Sequence, residues 1–237
     1  MAGRTPPLNL LIVEDDPLIL ESYQSLLGDP RLKDQFQPIF AKSAEEAITC
    51  LRNHIPHLVI LDLSLPGKDG IVVLDAIRSD PRTKYAMVFV VTSFSAKAIE
   101  VEAFESGADD YLTKPFNKGV LVTRLLNLIR RQKEPVETQE TVRLKNLRLE
   151  MPKGRLWIGT KSIDLHHKEA RVLKVFMKHA DSITTQEDLW DKVWGYASDN
   201  FRNTLHVTIA SLRKKMGPLW MKRLETIKDQ GYVLHSD

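Results

Sequence analysis

Through the first 131 residues, short apolar runs alternate with stretches whose apolar residues recur at helical spacing. Leu8–Val13, Leu58–Leu61 and Met87–Val91 are continuous apolar runs of strand length, and Tyr111-Leu112 is a shorter one. Between them, Pro17–Leu27 is amphipathic and stops at Gly28. Ser43-Ala44-Glu45-Glu46 forms a capping box that opens a helix toward Leu51. Gly70–Arg78, Ala96–Ser106 and Lys118–Arg131 supply further helices, the last with a basic end suited to its dipole. Strands without a polar face must be covered from both sides, so this pattern predicts a doubly wound parallel sheet. An additional strand at Phe36–Ala41 makes the sheet five-stranded.

The pattern then breaks. Residues 132–140 (QKEPVETQE) are polar, contain Pro135 and lack apolar periodicity, which marks a linker. Domain limits of 1–131 and 141–237 follow. The second domain reads as α+β, with strand-like pieces at Val142–Leu149 and Arg155–Ile158. Three helical segments come next, at Lys168–His179, Gln186–Val193 and Asn203–Met216. The chain closes with Leu224–Ile227 and Tyr232–Leu234 around Asp229-Gln230-Gly231, a hairpin pattern.

Composition narrows the class. With 43% hydrophobic and 27% charged residues among 237, the chain has a soluble globular balance. It offers no apolar window long enough to span a bilayer, and Met1–Pro7 has no secretory-leader character. A lone Cys50 removes any disulfide framework or multi-cysteine zinc site and fits a reducing, cytoplasmic setting. The net charge of +3 conceals a division. Residues 1–131 hold 15 basic against 17 acidic side chains, whereas residues 141–237 hold 18 against 11. A basic second domain is suited to a polyanionic partner, although a solvated basic surface has the same composition.

In a parallel sheet, functional groups collect beyond the carboxyl ends of the strands. Here the first strand runs into Glu14-Asp15-Asp16, another into Asp62, another into Thr92-Ser93 and the last into Thr113-Lys114-Pro115. Taken singly, an acid after a strand is most often a helix cap and a lysine is most often surface. Together, Glu14, Asp15 and Asp62 would make an oxygen-ligand pocket for Mg²⁺. Thr92 and Lys114 would face it as a hydroxyl and a cation able to hold a phosphoryl group. Transfer of a phosphoryl group to a carboxylate needs mainly alignment and charge neutralisation, which such a pocket provides.

The stretches LLIVEDD (10–16), LVILDLSLPGKDG (58–70), VVTS (90–93) and GADDYLTKPF (107–116) resemble, in order and spacing, the receiver domain of two-component response regulators. The resemblance implies a flavodoxin-like fold with Asp62 as phosphoacceptor from a sensor histidine kinase. It implies Asp15 as direct Mg²⁺ ligand, Glu14 assisting, and the backbone carbonyl of Ser64 completing the protein ligands. Thr92 and Lys114 would contact the phosphoryl group, Lys114 ahead of a cis bond to Pro115, and Tyr111 would be the aromatic switch. Asp16 reads as a helix N-cap. A haloacid-dehalogenase-type hydrolase needs Asp-x-Asp, and Ser64 stands at the second position. A P-loop is excluded by the absence of its upstream glycine spacing. The chain thus reads as a phosphoacceptor, with autodephosphorylation open to it, rather than a conventional enzyme.

Residues 142–237 resemble the winged helix-turn-helix effector of the OmpR/PhoB family through IDLHHKEARVL (163–173), EDLWDKVWG (187–195), LHVTIASLRKKMG (205–217) and ETIKDQGYVL (225–234). The resemblance implies sequence-specific binding to double-stranded DNA. Asn203, Thr204, Arg213, Lys214 and Lys215 would lie on the recognition helix and Lys228 on the wing. Trp190, Trp194 and Phe176 read as core, and His166-His167 as helix entry rather than a metal pair. Ala210 and Ser211 stand where basic residues are usual, and Lys228 replaces the usual wing arginine. On the family's receiver dimer face, Asp110 and Arg124 match ion-pair positions, whereas Glu100, Val120 and Leu126 depart from them. The expected protein is a phosphorylation-controlled transcription factor, homodimeric when phosphorylated, with RNA polymerase a further candidate partner and no membrane association. The alternative is an adaptor whose basic domain acts through protein contacts.

Overall fold

The computed structural model describes residues 6–67, 69–133, 140–151, 153–196 and 201–237. The start of the chain, read above for a leader, and the centre of the expected linker lie outside these. The chain divides into two compact units, Met1–Gln132 and Lys133–Asp237. Among the described residues, no helix is long and apolar enough to cross a membrane.

The first unit is β1 (Leu8–Val13), α1 (Pro17–Leu27), β2 (Phe36–Ala41), α2 (Ala44–Asn53), β3 (Leu58–Leu61), α3 (Ile71–Ser79), β4 (Met87–Thr92), α4 (Lys97–Glu105), β5 (Asp110–Thr113) and α5 (Lys118–Lys133). The five strands form a parallel sheet in the order β2-β1-β3-β4-β5. Right-handed crossovers then put α1 and α5 on one face and α2–α4 on the other. Accordingly Leu10, Ile12, Ile60, Phe89 and Val91 form one core with Tyr23 and Leu26 of α1 and Leu121, Leu125 and Leu128 of α5. The alternate strand positions Leu11, Val13, Val59, Leu61, Val88 and Val90 are equally buried on the opposite face. This is why the strands read as unbroken apolar runs. Helix starts follow their caps: the Asp16 carboxylate accepts from the Leu18 N–H and the Ser43 hydroxyl from the Glu46 N–H. After α3, Asp80 grips Arg82 through both carboxylate oxygens, and the guanidinium donates onward to the Arg52 carbonyl near the end of α2.

The second unit opens with β6 (Thr141–Leu144), β7 (Leu147–Glu150), β8 (Arg155–Ile158) and β9 (Lys161–Asp164), an antiparallel sheet in chain order. Here the structure departs from the expected single strand at 142–149. The chain reverses at Lys145-Asn146, with Lys145 at φ 50°, and β6 pairs with β7. Helices α6 (His167–Lys178), α7 (Gln186–Val193), α8 (Phe201–Met216) and α9 (Pro218–Arg223) lead to a hairpin of β10 (Leu224–Ile227) and β11 (Gly231–Leu234). Its core joins Phe176, Leu189, Trp190, Trp194, Leu205, Ile209, Leu212, Trp220 and Tyr232. Trp190 and Trp194 stack with ring centroids 4.4 Å apart and planes within 6°.

Candidate functional site

Strand order reverses between β1 and β3, and that switch point is where the acids meet. The ladder continues past the strand ends and fixes the backbone of each site residue. Glu14 N–H donates to Ala41, Asp62 N–H to Val13 and Lys114 N–H to Thr92, at 3.0, 3.0 and 2.8 Å. Glu14, Asp15 and Asp62 each bring a carboxylate oxygen within 4.8 Å of the others. Glu14 and Asp62 are buried and Asp15 is partly exposed. The Lys114 ammonium, from the segment after β5, donates to Asp62 Oδ2 at 2.5 Å and to Glu14 Oε2 at 2.6 Å. Lys114–Pro115 is a cis peptide.

Three carboxylates against one ammonium leave the pocket anionic, and the titrations reflect it. Burial pushes the Glu14 carboxyl up despite its bond to Lys114, and the Asp62 charge adds to the rise. Burial works against the Lys114 ammonium, but its bonds to Asp62 and Glu14 outweigh it and hold its pKa above the ordinary lysine range. An all-oxygen, net-negative donor set of this kind, with two of its three carboxylates buried, matches the requirements of a hard divalent cation.

Asp62 is further oriented by the Ser64 N–H, which donates to Oδ1 at 2.8 Å. The Ser64 and Thr92 hydroxyls share a hydrogen bond of 3.0 Å, a contact sequence reading did not foresee. Thr92 is buried, and two residues on, the Phe94 carbonyl accepts from the Tyr111 hydroxyl at 2.6 Å. Tyr111 therefore lies inward, and burial pushes its phenol up to about 12. Gly70, at the start of α3, is the second feature the sequence reading passed over. A Cβ there would stand 2.4 Å from the Asp62 carbonyl oxygen and 2.7 Å from Leu63 Cα. Its signal was available, because a glycine eight residues past the acid closes the loop that carries it.

Asp110 and Arg124 meet within the chain: the guanidinium donates to Asp110 Oδ1 at 2.9 Å and to the Tyr111 carbonyl at 2.9 Å, and both residues are buried. Glu100 is also buried, whereas Val120 is exposed.

In the second unit, the expected nucleic-acid residues do not share one face. Thr204 is buried and Asn203 half-buried. Arg213 turns to the hairpin, donating to the Leu224 carbonyl and to Thr226 Oγ1 at 2.9 Å. Lys215 turns to α6, where its ammonium sits 2.6 Å from Glu169, a carboxylate that is 0% exposed and also accepts from Ser211. Lys214 and Lys228 are exposed. The outward row of α8 is Arg202, His206, Ala210 and Lys214, at a spacing of four. The buried positions Leu205, Ile209 and Leu212 could have predicted that row by subtraction.

Comparison with known proteins agrees with both units. Residues 10–126 match the model of the response regulator receiver domain, and residues 159–234 that of the transcriptional regulatory protein C-terminal domain. The chain is 31% identical to the phosphate regulon transcriptional regulatory protein PhoB of Escherichia coli, over 94% of this chain and 96% of that protein. It is 30% identical to the transcriptional regulatory protein TcrA of Mycobacterium tuberculosis, over 99% and 90%. It is 32% identical to DltR of Streptococcus agalactiae, over 96% and 98%. Among solved structures, a mutant of RitR aligns with TM-score 0.71 at 20% identity over 96% of this chain and 99% of that one, a likeness of fold. With a receiver at its N-terminus, a regulatory domain at its C-terminus and full-length relatives of the same build, the chain belongs to the OmpR/PhoB-type response regulators of two-component systems.

Proposed function

We propose that Asp62 accepts a phosphoryl group from a sensor histidine kinase, and that this modification controls binding of double-stranded DNA by the second unit. The observation that supports the reading is the convergence of Glu14, Asp15, Asp62 and Lys114 on one strand edge. In the transfer, a carboxylate oxygen of Asp62 displaces the imidazole nitrogen from phosphorus. Glu14, Asp15, Asp62 and the Ser64 carbonyl would hold Mg²⁺, which when bound neutralises charge on the phosphoryl oxygens. Lys114 exchanges its Asp62 contact for the phosphoryl group while Glu14 keeps it in place. Thr92 gives up the Ser64 hydroxyl to reach the same group, and Tyr111, tied to the adjoining loop through Phe94, carries the change outward. The receiver, linker and effector limits proposed for this division are 1–131, 132–140 and 141–237.

Asp110 and Arg124, paired within the chain, belong to the proposed homodimer face together with exposed Val120. Surface ion pairs contribute only about 0–1 kcal/mol each, so the departures at Glu100, Val120 and Leu126 leave room for apolar pairing. Solution mass with Mg²⁺ and beryllofluoride tests the switch, with Asp62→Ala beside it. A dimer in wild type alone is expected. Stoichiometric labelling of Asp62→Ala by a small phosphodonor would overturn the phosphoacceptor assignment.

One observation favours the adaptor reading: Arg213 and Lys215 are engaged inside the unit, which leaves Lys214 and Lys228 as the exposed members of the expected DNA set. A salt titration on duplex DNA separates the two, because phosphate contacts release counterions and weaken steeply with salt. Absence of DNA affinity at low salt would establish the adaptor, with RNA polymerase as the first partner to test.

A further inference from the structure

Tyr23 of α1 is 1% exposed, and among the described residues its hydroxyl has no hydrogen-bond partner. A buried donor left unpaired costs stability that phenylalanine, of nearly the same shape, would not. The ring itself is well seated. It lies in the core shared by the sheet, α1 and α5, and stacks on Phe116 with centroids 6.1 Å apart and planes 20° apart. Packing accounts for the ring and not for the oxygen.

The strand rows beneath the pocket give the oxygen a purpose. Alternate side chains of a strand share a face. Leu10 and Ile12 of β1 and Leu58 and Ile60 of β3 belong to the same core as Tyr23, and Leu112 of β5 packs against it. The next positions in these three rows are Glu14, Asp62 and Lys114, whose backbones continue the ladder. The rows therefore rise out of this core into the acidic pocket. Helical side chains lean toward the N-terminus of their helix. Because α1 starts at Pro17, directly after the acids, the Tyr23 phenol leans toward the floor of the pocket. Its titration agrees: burial raises the phenol pKa, and the charges of Glu14 and Asp62 push it further up.

Of the two buried acids, Glu14 is the one short of donors. Asp62 accepts from the Ser64 N–H at 2.8 Å and from Lys114 at 2.5 Å. Glu14 accepts from Lys114 on Oε2, but its Oε1 faces the Asp16 N–H at 3.4 Å. We propose that Tyr23 is a positioning residue of the pocket, its hydroxyl donating to the Glu14 carboxylate once a divalent cation is bound. The inference rests on the phosphoacceptor reading, which requires that cation. Positive charge in the pocket favours the ionised form of Glu14. A charge-assisted bond from Tyr23 then holds the carboxylate in place beside Asp15 and Asp62. The same hydroxyl is a burden without the cation and a support with it.

The test looks for that reversal on a single atom. In EDTA, Tyr23→Phe should not lower the urea midpoint of the first unit, read by hydrogen exchange at β1 and β3 amides. In calorimetry on the full chain, the same variant should bind Mg²⁺ about tenfold more weakly, the factor expected for one lost hydrogen bond to a charged group. Tyr232→Phe removes an unpartnered buried hydroxyl from the second unit and should bind Mg²⁺ as wild type. A midpoint lowered in EDTA would mean that the hydroxyl is already bonded. Equal Mg²⁺ affinity in Tyr23→Phe and wild type would mean that it never serves the pocket, and an equal loss in Tyr232→Phe would make the effect general. Each of these overturns the inference while the phosphoacceptor reading stands. Absence of Mg²⁺ binding by wild type would overturn both.

Discussion

Gly70→Ala isolates how closely the loop that carries Asp62 is held. Gly70 has φ −60°, a helical value open to any residue. Were backbone entropy the only effect, alanine would stabilise the protein by about 0.4–1 kcal/mol. The added Cβ instead meets the Asp62 carbonyl oxygen at 2.4 Å and Leu63 Cα at 2.7 Å, both main-chain atoms. To reach 3.0 Å, the loop and the start of α3 must part by at least about 0.6 Å. Overpacking of this kind costs about 1–3 kcal/mol, so a net loss of roughly 1–2 kcal/mol is expected. Because the displaced atom belongs to Asp62 itself, phosphorylation should suffer beyond the loss of stability. Misplacement approaching 1 Å costs on the order of 10²-fold in rate, and a fall of tenfold or more is expected here. Urea titration with hydrogen exchange read at β1 and β3 amides measures the first quantity, and labelling from acetyl phosphate the second. A variant as stable as wild type and labelled at the wild-type rate would refute the close approach.

Three further outcomes follow from the same contacts. Glu14 has a raised pKa in the folded state, so its ionisation costs stability above that pKa and costs nothing below its unfolded value of 4.5. Glu14→Gln should accordingly stabilise the Mg²⁺-free protein at pH 7 and leave its stability unchanged near pH 4, read from urea midpoints at the two pH values. Burial pushes Glu169 up, but Lys215, His166 and Ser211 together hold it below the usual range. Its stabilisation is thus present above 4.5 and lost as pH falls through the lower folded pKa; Lys215→Met should cost about 2 kcal/mol at neutral pH in thermal unfolding of the second unit. On duplex DNA, Lys214→Gln should lower the slope of log affinity against log salt by about 1, whereas Arg213→Gln, which loosens the hairpin contacts, should weaken binding without changing that slope. Equal slope changes would show that Arg213 also reaches phosphate.

The receiver sheet was legible because its strands are buried on both faces and bounded by caps such as Asp16 and Ser43. The site was legible for a related reason, since each of its acids and Lys114 terminates an apolar run. What escaped reading obeys different physics. The β6–β7 reversal carries no glycine, and Lys145 enters the left-handed region unannounced. β9 has only Ile163 partly buried to mark it, and α9 is six residues long. Arg213 and Lys215 were grouped with Lys214 by charge, although one side of a helix cannot present three consecutive residues. Which of them turns inward is decided by the Leu224 carbonyl and the Glu169 carboxylate, groups far away in sequence.

The indole pair of α7 and its C-cap gives the molecule an optical division of labour. All four tryptophans, Trp157, Trp190, Trp194 and Trp220, fall in the second unit, so light absorbed at the red edge of the spectrum is taken up there alone. At 4.4 Å and nearly parallel, the electronic transitions of Trp190 and Trp194 mix, and that mixing ends when the pair separates. The half that holds the acidic pocket is dark at the same wavelengths. Any change in indole emission when a phosphodonor is added to the unlabelled chain therefore arises in the second unit, whereas Asp62 lies in the first.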